Sequence, residues 1–277
     1  MVPVSGPTTG EVAGAPCWLS LTARDLDAAE RFYGAVLGWT FRRDEGGERA
    51  YSVGGLDGQP VAVIAAVATE LSVRVAWTAF FTVEDADEAV ARIRERGGTV
   101  GVGPVAYPPH GRAALAADRE GAAFGVWEGP AESRLHLGMR SAPAWLELHT
   151  RDAFDAAVFY GEVLRWAERT AVGFEVSYEQ DKVVLRRDGE AVARLNSGPV
   201  ESGSPRPQLR PRWLVRFRVP DPEAAAVAVV AYGGTVVPGG DWGGVRGPEE
   251  ADGRRAVVVR DPEGALFALE PAGDGRG

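Results

Sequence analysis

Two short stretches of the sequence carry side chains that could perform acid–base chemistry. WLELHT (145–150) contains Glu147 and His149, and WLVRFRV (213–219) contains Arg216 and Arg218. Side chains of a strand alternate between its faces, so each pair shares one face. A histidine ordinarily titrates near neutral pH and can act as a general base, while an arginine can hold a carboxylate or enolate oxygen. The same residues are also compatible with a structural Glu147–Arg216 ion pair that has His149 as a hydrogen-bonded neighbour.

Both stretches belong to the second copy of an internal duplication. RFYGAVLGW (31–39) returns as VFYGEVLRW (158–166), 127 residues later, and later blocks return with offsets of 136 and 143. The growing offset indicates two loop insertions between otherwise parallel halves. Each half also contains two similar units, each opened by an aspartate. The sequence therefore predicts two tandem domains of two modules each, opened by Asp25, Asp85, Asp152 and Asp221.

Each module is predicted to have the order β-α-β-β-β. The first opens with a strand at 17–23, and Asp25 or Asp27 caps a helix that Gly38 ends. The second helix is predicted over 85–96 from its apolar spacing. One helix covers one face of a small sheet, so a second module is expected to cover the other face. The remaining strands of the first half are predicted at 50–54, 60–67, 99–105, 112–117 and 122–128.

Composition favours a soluble, cytoplasmic protein that binds neither a nucleic acid nor a membrane. The net charge of −9 provides no basic face for a nucleic acid or an acidic membrane. Cys17 is the sole cysteine, which excludes an intramolecular disulfide and a thiolate metal cluster. The first residues lack the pattern of a signal peptide, and the longest apolar run is about half a membrane span. We expect a monomer or a homodimer. The predicted boundaries are a mobile tail at 1–14, a first domain at 15–133, a linker at 134–142, a second domain at 143–271 and a tail at 272–277.

The aspartate-capped helix phrase FYGAVLGW, the helix that ends in GG, and the D-x-E-G turn before a strand resemble the vicinal oxygen chelate superfamily. This superfamily includes glyoxalase I, extradiol dioxygenases and bleomycin resistance proteins. The resemblance covers most of residues 15–271. It is closest to the double-domain branch described as glyoxalase/bleomycin resistance proteins or hydroxylases, which includes a secreted-fraction antigen. It implies an α+β fold in which two paired modules per domain form an open cup around a ligand. We name these the first cup and the second cup.

The resemblance also implies where a divalent metal would bind. Family ligands lie seven residues before each helix-opening aspartate and seven residues after the aspartate of D-x-E-G. The residues at these positions carry no set of donors suited to a divalent ion, so we expect no metal and no other cofactor. They are Trp18, Thr78, Gly125, Trp145, Leu214 and Ala268.

Residues that share strand parity with these positions are expected to line the cups. The first cup would be aromatic and uncharged, and Gly125 would open space beneath two tryptophans for a flat ligand. The alternative is that Trp18 and Trp127 are core residues that close the cup. The residues expected to bind a ligand there are Trp18, Ser20, Thr22, Thr78, Phe80 and Trp127.

The second cup would carry a charged wall. Glu147 and Arg216 hold equivalent places in their modules, so approximate twofold symmetry would make them face each other. The loop at 238–253, with Trp242, is a candidate lid over this cup. His110 and His136 are expected to be exposed. The inward positions are Trp145, Glu147, His149, Leu214, Arg216, Arg218, Leu266, Ala268 and Glu270.

Two functions follow, and the sequence leaves both open. The first is metal-independent binding of a small aromatic metabolite or drug, as in bleomycin resistance proteins, with Trp18, Trp127, Trp145, Arg218 and Trp242 among the contacts. The second is a metal-independent lyase, isomerase or hydroxylase-like enzyme that uses Glu147, His149 and Arg216. A structural protein that binds nothing is the remaining alternative.

Overall fold

The structure is a computed structural model. It describes residues 13–44, 50–107, 111–130, 142–166, 174–179, 182–187, 189–198, 210–237 and 256–272. Several predicted features lie outside these residues, namely Trp242 and its loop, His110, His136 and most of the linker.

The first half contains two β-α-β-β-β modules, as predicted. Its elements are β1 (Pro16–Thr22), α1 (Leu26–Leu37), β2 (Thr40–Asp44), β3 (Tyr51–Leu56), β4 (Gln59–Ala65), β5 (Ala76–Thr82), α2 (Ala86–Glu95), β6 (Thr99–Tyr107), β7 (Gly111–Ala117) and β8 (Ala123–Glu128). The pattern missed β2, because TFRRD is a mostly exposed edge strand without apolar alternation.

The second half repeats the same order. Its elements are β9 (Ala144–Thr150), α3 (Ala153–Val163), β10 (Glu175–Glu179), β11 (Lys182–Arg187), β12 (Glu190–Ser197), β13 (Arg212–Val219), α4 (Pro222–Ala231), β14 (Thr235–Val236), β15 (Val257–Arg260) and β16 (Leu266–Pro271).

Helix starts follow from the four aspartates of the repeat. Asp25, rather than Asp27, is the N-cap of α1, and its carboxylate accepts a hydrogen bond from the backbone N–H of Ala28 at 2.9 Å. The other three aspartates cap α2, α3 and α4 in the same way. Gly38 ends α1 with φ of 69°, a left-handed conformation that favours glycine. Local sequence therefore fixes where each helix begins.

The two modules of each domain share one eight-stranded sheet. The strand orders are β2-β3-β4-β1-β5-β8-β7-β6 and β10-β11-β12-β9-β13-β16-β15-β14. The two opening strands of each domain pair antiparallel at the sheet centre, β1 with β5 and β9 with β13. This confirms the predicted pairing of module one with two and of module three with four.

The domains pack against each other through their helix-bearing faces, and the repeated FYG phrase joins them. The Tyr33 hydroxyl donates to Asp261 at 2.9 Å and accepts from Trp77 Nε1 at 3.1 Å. In the second copy, Tyr160 donates to Asp118 at 3.0 Å. It accepts from Trp213 Nε1 at 2.9 Å. Each tyrosine thus reaches the D-x-E-G turn of the other domain. Each copy of the repeated helical sequence therefore contributes one half of the interface between the domains.

One predicted boundary needs correction. Gly14 was assigned to a mobile tail, but its N–H donates to the Thr82 carbonyl at 2.7 Å and its own carbonyl accepts from Trp166 Nε1 at 2.8 Å. Gly14 is buried between the two domains. The ordered part of the chain therefore includes residue 14.

Candidate functional site

The first cup is filled by its own aromatic side chains. The Trp18 ring lies 4.7 Å from the Phe80 ring and 5.3 Å from the Trp127 ring, measured between centroids. Cys17 and Ala113 complete this apolar cluster, which is separate from the helix-side core. This packing supports the alternative in which Trp18 and Trp127 close the cup.

The space expected above Gly125 is occupied. A Cβ atom at Gly125 would lie 2.2 Å from the Phe80 ring. Phe80 and Gly125 are partners across β5 and β8, so the ring lies over the glycine. The expectation that Gly125 opens room for a flat ligand is therefore wrong: the glycine makes room for Phe80.

The predicted hydroxyl residues do line the first cup. Ser20 and Thr78 are partners across β1 and β5, and both are half-buried. Thr22, at the end of β1, is also half-buried. A row of hydroxyls therefore lies on this face, and the row includes no charged side chain.

The second cup contains a connected set of buried ions. Arg216 donates from Nη1 to Glu147 Oε2 at 2.7 Å and from Nε to Glu270 Oε2 at 3.0 Å. Arg218 Nε lies 3.2 Å from Glu270 Oε1. Arg216 and Glu147 are 8 % and 7 % exposed, so water screens their attraction weakly. The predicted facing of Glu147 and Arg216 is confirmed.

Glu147 is the centre of this set. Its other oxygen accepts from Asn196 Nδ2, and His149 Nε2 lies 3.6 Å from Oε2. Burial alone would raise the pKa of Glu147, but the Arg216 guanidinium and the neighbouring His149 hold it well below its usual range. Burial would lower the pKa of Arg216, and its two carboxylate partners reverse this and raise it. The Glu147 carboxylate is therefore ionised at neutral pH.

Trp145 supports two of the cations. The Arg216 and Arg194 guanidinium carbons lie 4.9 Å and 5.0 Å from the Trp145 ring centroid. Trp145 Nε1 also donates to Glu270. A tryptophan face attracts a guanidinium through its quadrupole, more strongly when both are desolvated. Trp145 thus holds the Arg194 and Arg216 side chains in place, and its ring is already in contact with both guanidinium groups.

The duplication supplies an internal comparison. Trp145 is equivalent to Trp18, and both tryptophans occupy the same place beside the central strand pair. Their neighbours differ: Arg216 and Glu270 stand where the first domain has Phe80 and Trp127. The same sheet is therefore built once around aromatic rings and once around an ion cluster.

The family's metal positions do not fit a divalent ion in either cup. Thr78 contributes one hydroxyl in the first cup, and Phe80 covers Gly125 there. In the second cup, Leu214 and Ala268 belong to a small apolar cluster. Within the described residues, no group of three or more His, Cys, Asp and Glu side chains is arranged to hold a metal ion.

Sequence reasoning brought together Glu147, His149 and Arg216 but missed Arg194 and Asn196. These two lie on β12, which pairs with β9 so that Arg194 is beside Glu147 and Asn196 beside His149. The available signal was their alternation with buried Ala193 and Leu195.

No helix in the described part of the chain is long and apolar enough to cross a membrane.

Comparison with known proteins gives two family matches and several full-length relatives. The model of the Glyoxalase/Bleomycin resistance protein/Dioxygenase superfamily matches residues 17–126, and a Glyoxalase-like domain matches residues 145–270. The provisionally named glyoxylase CFP32 of Mycobacterium tuberculosis is 30% identical over 273 residues, which cover 94% of this chain and 95% of that protein. The anthracycline biosynthesis protein DnrV of Streptomyces peucetius is 30% identical over 274 residues, 92% of each chain.

Solved structures share the fold at lower identity. The Mn(II)-bound glyoxalase from Novosphingobium aromaticivorans has a TM-score of 0.54 and 16% identity, and covers 95% of this chain and 83% of that one. The 2,3-dioxygenase LapB from a Pseudomonas species has a TM-score of 0.55 and 13% identity, with 95% and 94% covered. Sequence matches in both halves, together with this shared two-domain architecture, show that the chain belongs to the glyoxalase/bleomycin resistance protein/dioxygenase superfamily.

Proposed function

We propose that this protein binds a small, oxygen-bearing aromatic molecule in the second cup without using the family's divalent metal, and that the first cup is structural. Binding or sequestration is the activity, as in bleomycin resistance proteins. We also propose that the protein is cytoplasmic and that its partner is a small molecule, not a nucleic acid or a membrane.

One observation carries the proposal: the second cup holds a buried ion cluster where the first domain builds the same sheet without one. The first domain builds the same eight-stranded sheet with Phe80 and Trp127 at the positions of Arg216 and Glu270. Removing charges from water costs several kcal/mol per ion by order of magnitude, and packed apolar residues often replace a buried pair without loss. A cluster that folding does not need is best explained by a ligand.

The names of relatives support an aromatic ligand. One full-length relative is named for anthracycline biosynthesis, and anthracyclines are flat molecules that bear hydroxyl and carbonyl oxygens. Guanidinium planes stack on such rings and donate to such oxygens. Arg194 and Arg216, both held against Trp145, provide those planes.

A matched pair of tryptophan variants tests the proposal. The probe is the hydroxylated anthraquinone quinizarin, titrated and followed by its visible fluorescence. Trp145→Leu loosens the two guanidiniums and is expected to weaken binding by about 1–2 kcal/mol, the range for a desolvated cation–π contact. Trp18→Leu, at the equivalent position, should leave affinity unchanged. Weakening by Trp18→Leu alone would place the ligand in the first cup and refute the proposal.

A second candidate, a metal-independent enzyme, is favoured by the His149–Glu147 pair. The Glu147 carboxylate is buried and lies 3.6 Å from His149 Nε2, so it can orient the imidazole toward a bound molecule. In this reading His149 accepts a proton from the bound molecule, and Arg216 stabilises the resulting enolate or phenolate oxygen. Turnover that is lost in His149→Gln while quinizarin still binds would separate the enzyme from the binding protein.

A further inference from the structure

We infer that Lys182 and Arg194 of the second cup bind a carboxylate group of the ligand, and that Asn196 accepts a hydrogen bond from a nearby ligand hydroxyl. The ligand class is thus an aromatic hydroxy acid. This inference rests on the proposed function and deepens it, because it names the groups that the bound molecule carries.

The register of β11, β12 and β9 places the three side chains on one face. Lys182 pairs with Asn196, and Asn196 pairs with His149. Arg194 lies two residues before Asn196, on the same face. Paired positions on neighbouring strands are about 5 Å apart, and successive same-face positions on one strand are about 7 Å apart. The three residues therefore form a compact triangle beside the buried ion cluster.

Lys182 and Arg194 are surplus cations within the described part of the wall. Arg216 and Arg218 are matched by Glu147 and Glu270, as described above. By contrast, no hydrogen bond or ion pair joins the side chain of Lys182 or Arg194 to another described residue. The Arg194 guanidinium lies over the Trp145 ring, and its charge acts on Glu179 only at longer range.

The carboxylates beside these two cations are already engaged. Glu147, the register partner of Arg194, accepts hydrogen bonds from Arg216 and Asn196. Glu179 pairs with Lys182 in the register of β10 and β11, but its side chain is half exposed and contacts Arg186 at 2.5 Å. On a protein with a net charge of −9, long-range attraction does not collect anions. Two unmatched cations on the cup face therefore point to local recognition of an anionic group.

Asn196 adds a buried acceptor. It is 8 % exposed, and its Nδ2 donates to Glu147, which is ionised and can only accept. This contact fixes the orientation of the amide, because the carboxylate excludes the flipped form. Oδ1 is buried and receives no hydrogen bond from the described residues. An unsatisfied buried acceptor is costly, and a ligand hydroxyl would satisfy it.

The first domain lacks this entire set. By the same register, the equivalents of Lys182, Arg194 and Asn196 are Tyr51, Val63 and Ala65. Val63 and Ala65 pair with β1 as Arg194 and Asn196 pair with β9, and Tyr51 pairs with Ala65 as Lys182 pairs with Asn196. The sheet forms there without a single ionic group at these positions. The triangle therefore distinguishes the second cup from its duplicate and is available for recognition.

The test uses 4-hydroxy-2-naphthoate, which has its hydroxyl and carboxylate on one ring but too far apart to bond to each other. Its methyl ester lacks the charge, and 2-naphthoate lacks the hydroxyl. Calorimetric titration should give the highest affinity for the hydroxy acid and a loss of about tenfold or more for each analogue, as expected for hydrogen bonds that involve a charged or buried group.

Variants locate the contact. Arg194→Gln and Lys182→Met should each abolish the preference for the acid over the ester. Arg31→Gln removes the same charge from an exposed site on α1 and should leave that preference unchanged. If all three probes bind alike, the protein binds aromatic molecules but the anion subsite is refuted. If no probe binds, the proposed function fails and the inference fails with it.

Discussion

Converting the second cup to the composition of the first tests whether its ion cluster serves folding or a ligand. The variant carries Glu147→Ser, Arg216→Phe, Glu270→Trp and Ala268→Gly, so each position takes the residue of its repeat equivalent. Ala268→Gly is included because a Cβ at the equivalent position of the first domain would lie 2.2 Å from the phenylalanine ring. The first domain therefore supplies a packing template for these four positions.

The magnitudes follow from the burial of the cluster. Arg216→Met alone leaves Glu147 and Glu270 without their shared cation, and such unpaired buried charges cost about 3–5 kcal/mol. The fourfold variant removes Glu147, Arg216 and Glu270 together, while Arg218 loses its contact with Glu270 but keeps its hydrogen bond to the Ala142 carbonyl. It should cost clearly less than Arg216→Met, about 1–2 kcal/mol, because well-packed apolar residues often replace a buried ion cluster without loss.

Urea unfolding followed by circular dichroism measures both effects. Arg43→Met is the matched control, since Arg43 also contacts two carboxylates, Asp27 and Glu30, but at the surface. Its cost should be far smaller than that of Arg216→Met, because solvent screens an ion pair at the surface. Quinizarin binding should be lost in the fourfold variant. A fourfold variant as unstable as Arg216→Met would show that the cluster supports the fold, which would refute the reasoning.

The pH dependence of folding stability provides an independent test of the ion cluster. The pKa of Glu147 is lowered in the folded protein, so its ionised form contributes stability above the ordinary value of 4.5. That contribution is lost as the pH falls through the lowered value. The fourfold variant lacks Glu147 and therefore lacks this contribution. The parent should therefore lose stability relative to the variant between about pH 5 and pH 3.

Four further predictions follow from single contacts. Tyr160→Phe removes the hydroxyl that bonds to buried Asp118 and should cost about 1–3 kcal/mol in urea unfolding. Burial raises the pKa of Asp118, and the hydrogen bond from Tyr160 opposes this by stabilising the ionised carboxylate. The stability lost in Tyr160→Phe should therefore become smaller as the pH is lowered and Asp118 is protonated. Gly125→Ala should destabilise by about 1–3 kcal/mol through its clash with Phe80, and Phe80→Ala should remove that penalty in the double variant. If the protein is an enzyme, His149→Gln should reduce turnover by about a hundredfold or more with binding preserved; an unchanged rate would refute the catalytic role. Elemental analysis of untagged protein should give less than about one-tenth equivalent of Zn, Fe, Mn or Ni, since the family positions lack a donor set; stoichiometric metal would contradict this.

The architecture follows from local and periodic signals in the sequence. The 127-residue repeat, the four aspartates and the apolar spacing of each helix are local or periodic signals. They predict two domains of two modules and put the helix starts at the repeated aspartates, with only the choice between Asp25 and Asp27 left open for α1. Strand parity places Glu147 and Arg216 on the inward faces of their strands, and the approximate twofold symmetry of the paired modules makes them face each other. What the pattern could not find was β2, whose exposed residues carry no alternation.

Tertiary structure alone decided what the cups contain. Whether Gly125 opens a space depends on which ring lies across the strand pair, and that ring belongs to Phe80, 45 positions away in the chain. Asn196 and Arg194 join the second cup because β12 lies parallel to β9, a neighbour relation set by the sheet order and not by spacing. The tyrosines of the repeated phrase reach the turn of the opposite domain for the same reason. Contacts between distant segments depend on how the sheets and domains come together, and no local signal encodes them.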